Sequence, residues 1–374
     1  MSRNAHLKAI ALLFLKLGIT GFGGPAVHIA MMHREVVSKR KWLTEQDFLD
    51  LIGATNLIPG PNSTELAIHI GKEKGGWRGL VLAGVCFILP AVLITFVFAY
   101  AYKEYGQLPE LRQYVYGIQP AIIAVVAGAL VPLARKSIKS RALLWLALFV
   151  GVGVFLQLNE LVLLFGSGFA ALIVAYIKKA QIAPTFLLFP FLLTDKIAKC
   201  EVNLSNWKLF FVFLKIGSIL YGSGYVLFAF LDAELVATGM LSKQTLVDAI
   251  AVGQFTPGPV FSAVTFIGYQ IKGITAAIVS TVAIFIPAFL FVAFLNPLVK
   301  WLRESPHFSV FIDAVNVAAI VLILSVCIDL TSTAITNWKT VLIAVISFII
   351  CLRYKNVNSV FVLLGGAVLG YLLD

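Results

Sequence analysis

Charge is scarce in this sequence. Asp, Glu, Lys and Arg make up 13% of its 374 residues, while hydrophobic types make up 60%. A soluble chain has no interior large enough for so much apolar sequence, so soluble multidomain architectures are excluded and a multi-span membrane protein is implied. Cysteine is rarer still: Cys86, Cys200, Cys327 and Cys351 are scattered without close pairing, which excludes a disulfide framework or a zinc site. There is no Gly-rich phosphate loop ending in Lys-Ser/Thr, so ATP-driven transport by this chain alone is not indicated. His-Glu-x-x-His, a nucleophile elbow and a Ser-His-Asp arrangement are all missing. The chain is therefore expected not to be an enzyme and to need no cofactor or metal. An intramembrane lipid-modifying enzyme stays open as a reading of another class; only Glu65, His28 and His69 could supply its acid–base set.

What is present is apolar sequence with basic loops. The net charge of +11 comes largely from Lys and Arg in short connections, a positive-inside bias rather than a nucleic-acid surface. The expected location is the inner cell membrane, in several passes. Because the first apolar run carries Lys16 and lacks a small-residue cleavage pattern, the first helix is expected to be retained.

The chain is also duplicated. Phe14-Leu15-Lys16-Leu17-Gly18 matches Phe213-Leu214-Lys215-Ile216-Gly217, Phe22-Gly23 falls on Tyr221-Gly222, and Glu35 on Glu234. After a one-residue shift Asp50 falls on Asp248 and Pro59-Gly60-Pro61 on Pro257-Gly258-Pro259; after another, Gly71 falls on Gly268 and Gln119 on Asn316. This order assigns residues 1–181 to one repeat, 182–204 to a linker with a short apolar piece, and 205–374 to a second repeat.

Each repeat is expected to begin with one long helix, about residues 7–32 and 207–231, followed by a segment broken at Pro-Gly-Pro. Proline lacks the helical N–H and starts a new helix well, so the break is firm. The flanking arms are ~12 residues each, too short to cross a bilayer that needs ~20, which suggests a re-entrant hairpin. A kinked crossing helix in a parallel repeat is the alternative. Four further helices follow in each half, near 78–102, 115–134, 142–158 and 160–177, then 274–299, 310–333, 338–353 and 357–373. Five crossings per half, with Arg34, Lys39, Arg40 and Lys41 in the first connector against Asp232 and Glu234 in the second, favour an inverted-topology repeat. The fold class is an all-α polytopic membrane protein.

Inverted repeats with broken helices place a substrate at the midplane. A helix N-terminus offers free N–H groups and the positive end of a dipole, which suits an anion. Candidate binding residues are Asn56, Pro59, Gly60, Asn62, Ser63 and Thr64 in the first copy and Gln254, Thr256, Pro257, Gly258 and Ser262 in the second. Plain helix capping is the alternative for the hydroxyl and amide residues. Gly23 and Gly24, with Tyr221, Gly222 and Ser223, break the first helices; they either face the site or serve close packing. Lys16 and Lys215 form a symmetric cationic pair, or snorkel to an interface. Glu65, Asp50, Asp248, His28 and His69 are candidates for coupling. Glu65 could carry a proton or be neutralised by Lys16 or a histidine.

With these motifs in view the chain resembles the full-length, two-repeat chromate ion transporters of bacteria and archaea. The resemblance rests on Phe14-x-Lys16-Leu17-Gly18, Phe22-Gly23-Gly24-Pro25, Trp42-Leu43 and both Pro-Gly-Pro copies. It rests also on Gly253-Gln254-x-Thr256 and Gly268-Tyr269. It implies secondary transport of chromate, as efflux, by alternating access across the inner membrane. Sulfate, a dianion of like shape, is an alternative substrate for uptake or exchange. Asn56 departs from the Gln expected there by the resemblance and present at Gln254. Monomer and homodimer are both open.

Overall fold

The computed structural model describes residues 3–22, 24–105, 109–179, 205–221, 224–294, 306–354 and 357–373. The expected linker at 182–204 lies outside them. Among the described residues there are fourteen α-helices. In the first repeat these are α1 (Arg3–Thr20), α2 (Pro25–His33), α3 (Glu45–Thr55), α4 (Asn62–Tyr105), α5 (Pro109–Ser137), α6 (Arg141–Phe155) and α7 (Glu160–Lys179). The second repeat has α8 (Asn206–Ile219), α9 (Val226–Leu231), α10 (Lys243–Phe255), α11 (Ala263–Phe294), α12 (Pro306–Ala334), α13 (Trp338–Arg353) and α14 (Ser359–Leu373). Five are long and apolar enough to cross a membrane, and the chain is a multi-pass all-α membrane protein.

The first helix of each repeat corrects the expectation of one long span. It is interrupted at residues 21–24, and Pro25 opens α2. Along a straight helix Lys16 and Glu35 would stand roughly 28 Å apart at 1.5 Å per residue. Their side chains instead meet at 3.3 Å, and Lys215 meets Glu234 at 2.6 Å in the second repeat. The chain therefore turns back at the glycine cluster, and the α1–α2 and α8–α9 pairs are helical hairpins. Each second helix closes in a π-helical turn, Arg34–Lys39 and Asp232–Val236, which carries the paired glutamate.

A second hairpin follows in each repeat. Thr44 caps α3 by accepting from the Asp47 amide, and Ser242 caps α10 by accepting from Thr245. The arms meet at Pro-Gly-Pro. The returning arm then bends sharply into a long helix. Gly76 (φ 58°, ψ −147°) makes that bend inside α4, and Gly273 (φ 73°, ψ −156°) makes it inside α11. A side chain at either glycine would meet open space, so glycine is required for its backbone conformation rather than its size. The arms of α4 and α11 pass close by themselves after the bend, where Gly71 lies on Gly79 and Gly268 on Ala276.

The inversion follows directly from how the long arms pack, and not from a count of crossings. Trp77, at the start of the long arm of α4, lies against Phe294 at the end of α11, with ring centroids 5.8 Å apart and planes tilted by 54°. Lys72 donates to the carbonyls of Val292 and Ala293, both at 2.9 Å. At the other end Gln270, next to the second bend, donates to Ala99 O at 2.9 Å. The long arms thus run antiparallel. The end of the molecule that carries the Lys16–Glu35 pair is called here the first face, and the end that carries Lys215–Glu234 the opposite one.

The remaining helices form a bundle beside these hairpins. Lys139 pairs with Asp313 at 2.9 Å and Tyr116 donates to Asn337 at 2.7 Å, tying α5 and the loop after it to the second repeat. The bundle does not treat the two repeats alike. All of α9 is buried, and α8–α10 share one continuous core with α5, α7 and α12. The first-repeat hairpins form a separate, smaller core of Ile10, Leu13, Phe14, Met32, Phe48 and Phe87.

Candidate functional site

The tips of the four hairpins meet at the centre of the molecule. Gly60 N–H donates to Leu220 O at 2.7 Å, and Gly258 N–H donates to Gly21 O at 2.8 Å. Each Pro-Gly-Pro tip is therefore bound to the first hairpin of the other repeat. Both glycines hold positive φ, 139° and 90°, which L side chains rarely adopt. Gly24, at φ 80°, faces open space. Gly23, Gly222 and Ser223 lie outside the described residues; Tyr221 is half-buried beside them.

At the first tip the donors are partly free. Thr64 and Glu65 amides reach back to Pro61 O, leaving the amides of Asn62 and Ser63 at the N-terminus of α4 outside the helical ladder. Asn62 Nδ2 donates to Asn56 Oδ1 at 2.8 Å, and Asn56 is exposed although it lies at the end of an inward-pointing arm. His28 Nε2 lies 2.8 Å from Gly21 O, and its Nδ1 lies 3.3 Å from Ser63 Oγ. A carbonyl only accepts, so Nε2 carries the hydrogen and Nδ1 accepts from the Ser63 hydroxyl. Thr64 Oγ1 is buried with no hydrogen-bond partner.

The second tip is closed. Gln254, the counterpart of Asn56, is 5% exposed, and its Nε2 has no partner. Thr256 donates to Val252 O at 2.7 Å. Thr95, which sequence reasoning missed, lies 3.3 Å from both Thr256 Oγ1 and Ser262 Oγ and bridges them. Its only signal was a lone hydroxyl in the apolar run of α4. Val260 and Phe261 complete the seal.

The other expected residues divide. Asp248 accepts from Tyr102 at 2.6 Å and from Gln119 at 3.1 Å, a buried network that ties α10 to α4 and α5. Asp50, its sequence counterpart, accepts from Gln46 at 3.1 Å on the more open α3, so the two do not share a setting. Lys16 does not neutralise Glu65: its partner is Glu35, which also takes Lys39 at 2.9 Å and Arg40 at 3.5 Å. No histidine neutralises Glu65 either. Glu65 and His69 are fully buried, and none of their side-chain polar atoms has a hydrogen-bond partner among the described residues. No cluster of potential metal ligands occurs among the described residues.

Comparison with known proteins decides the family. The family model described as "Chromate transporter" matches residues 8–172 and again 207–371, one match on each repeat. The chain belongs to the chromate transporter family. The "Chromate transport protein" of Cupriavidus metallidurans is 32% identical over 375 residues, covering 97% of this chain and 92% of the relative. The "Probable chromate transport protein" of Synechococcus elongatus is 31% identical over 350 residues, covering 92% and 89%. The "Chromate transport protein" of Pseudomonas aeruginosa is 26% identical over 385 residues, covering 96% and 91%. No solved structure matches. One matched segment falls on each of the two antiparallel repeats, and the interval between them, residues 173–206, includes the end of α7.

Proposed function

We propose that the chain is a secondary transporter that moves chromate from the cytoplasm outwards by alternating access, with the dianion held between the hairpin tips. The observation that carries this reading is the junction of four tips. There the two Pro-Gly-Pro tips, read as re-entrant to mid-depth from opposite sides, each bond the other repeat through Gly60 and Gly258 and leave donors at Asn62, Ser63 and Thr64. Irregular backbone at that depth is tolerable only where protein covers it or a wet cavity reaches it. An anion meeting amides and hydroxyls at a helix N-terminus is bound with little fixed charge, which lets it leave again. The second tip contributes Thr256, Ser262 and the side chain of Gln254, which also bonds Tyr225.

Charge at the two mouths supports the outward direction. At the first face three cations, Lys16, Lys39 and Arg40, surround one carboxylate, Glu35. At the other, among the described residues, Glu234 pairs with Lys215 only, Asp232 lies in the same turn, and Lys243 beside it is paired with Asp329. The positive-inside bias of the basic connectors supports a cytoplasmic first face, a mouth that attracts a dianion, with release at the outer one. An intramembrane lipid enzyme needs reachable, converging acid and base groups. Glu65 and His69 are shut away, and His28 is occupied by Gly21 and Ser63.

The test is flux in proteoliposomes with chromate and sulfate compared. Chromate movement by the wild type, and its loss in a correctly inserted Lys16→Met/Lys215→Met double variant, is expected. Undiminished flux in that variant would remove the lysines from the pathway. Preference for sulfate over chromate would reassign the substrate.

A further inference from the structure

Four polar residues run down one face of the short arm of α4: Asn62, Glu65, His69 and Lys72. Their spacings of three, four and three residues stack them in a single stripe from the tip towards the first face. Asn62 is at the tip beside exposed Asn56. Glu65 follows, packed against Gly60 and near Ala288. Next comes His69, and then Lys72, which is bound to the carbonyls that end α11. Glu65 and His69 are fully buried and unpartnered, which is rare because a buried polar group without a hydrogen bond is costly.

The second repeat has no such stripe. The positions matching Glu65, His69 and Lys72 are Ala263, Phe266 and Tyr269, all buried. A titratable row kept on one side of a duplicated fold is not needed to hold the hairpin together, because the other copy packs without it.

Resting on the transporter reading, we propose that this stripe is a proton path, with Glu65 the carboxyl that gives up and regains a proton as the anion moves and His69 the relay to the first face. In the conformation described, no donor among the described residues bonds the Glu65 carboxyl, and the path starts from its protonated form. On release the Glu65 O–H bond breaks and the proton passes, through a rotamer change or a water, to a free ring nitrogen of His69. The imidazolium formed there lies near the Lys72 ammonium, which favours passing the proton on to water at the rim. Tyr221, from the opposite tip, also faces Glu65, while His28 is turned to Ser63, two residues away and off the stripe. Ala288, Phe289 and Val292 of α11, packed around this arm, are uncharged.

The experiment uses the full chain in liposomes loaded with a pH-sensitive dye and supplied with chromate. Wild-type flux is expected to move protons and to respond to an imposed pH gradient. Glu65→Gln should abolish proton movement, and His69→Gln should slow turnover with KM for chromate unchanged. Proton movement by Glu65→Gln at the wild-type ratio to chromate overturns the proposal. Chromate flux without protons in the wild type also overturns it, yet leaves the transporter reading standing. If the wild type moves no oxyanion, the transporter reading falls instead, and infrared spectroscopy decides on Glu65. A carboxylic-acid carbonyl band at neutral pH, absent from Glu65→Gln and kept in Glu65→Asp, supports the protonated buried acid. Its absence from the wild type refutes it. Insertion of each variant is checked by its elution as a monodisperse species, and the wild-type band decides even where a variant fails to insert.

Discussion

Gly60 and Gly258 each do two things at once. Their positive φ lets the chain reverse between two prolines, and their N–H groups point at a carbonyl of the other repeat. A β-carbon at Gly60 would also collide with the Glu65 carboxyl, while one at Gly258 would press on Ala91. Gly60→Ala is therefore expected to lower stability by ~1–3 kcal/mol from backbone strain alone. It should also abolish flux, because the tip can no longer sit against Leu220. Thermal unfolding of the purified variant, set beside its transport rate, checks both effects. Much of this was legible beforehand: the duplicated Pro-Gly-Pro and the donors after it named the tips. The partners were not, since Leu220 and Gly21 offer only a backbone carbonyl, which carries no side-chain signal. Thr95 was missed for a related reason, because a lone threonine in an apolar helix usually bonds its own backbone.

Among the elements, the hairpins show where pattern reading reached its limit. Both members of each Lys–Glu pair were visible at matching positions, Lys16 with Lys215 and Glu35 with Glu234. Read along a straight helix, however, they lay too far apart to meet. The glycine cluster at 21–24 was seen as a break, but a break bends a helix by an angle that local sequence does not encode. Tertiary packing chose the reversal: Gly18 rests on the backbone of Phe87, and Gly217 on that of Ile284. Replacing Gly18 with Val should push α1 off α4 and cost about 1–3 kcal/mol by overpacking. Gly76→Val, where a side chain meets open space, should cost a similar ~1–3 kcal/mol through backbone strain only. Combining either with Leu13→Ala separates the two mechanisms. The small cavity should relieve the overpacked helix in part and leave the strained bend unrelieved, as read from melting temperatures of the single and double variants.

Taken whole, the molecule breaks its own two-fold relation. Its first tip is reachable at Asn56, while Gln254 in the second is buried. An inverted duplication supplies two equivalent arrangements of unlike packing, and exchanging them would close one tip and open the other. In a background without the native cysteines, Asn56→Cys should react with a membrane-impermeant thiol reagent applied from the cytoplasmic face, and Gln254→Cys should not. Saturating chromate is expected to slow the first reaction. Equal reactivity at both positions would show that the described asymmetry is not the resting state.

The crossed bonds at the centre also bear on how the protein is made. A ribosome completes the first repeat before Leu220 exists, so the Gly60 N–H enters the bilayer with its acceptor still unsynthesised. Until the second repeat arrives from the other side, the first tip must be served by water or by the insertion machinery. The nascent first half is thus a wet, unfinished intermediate whose closure waits on translation. A ribosome stalled before α8 should expose Asn56 and its neighbours more fully than the finished chain does.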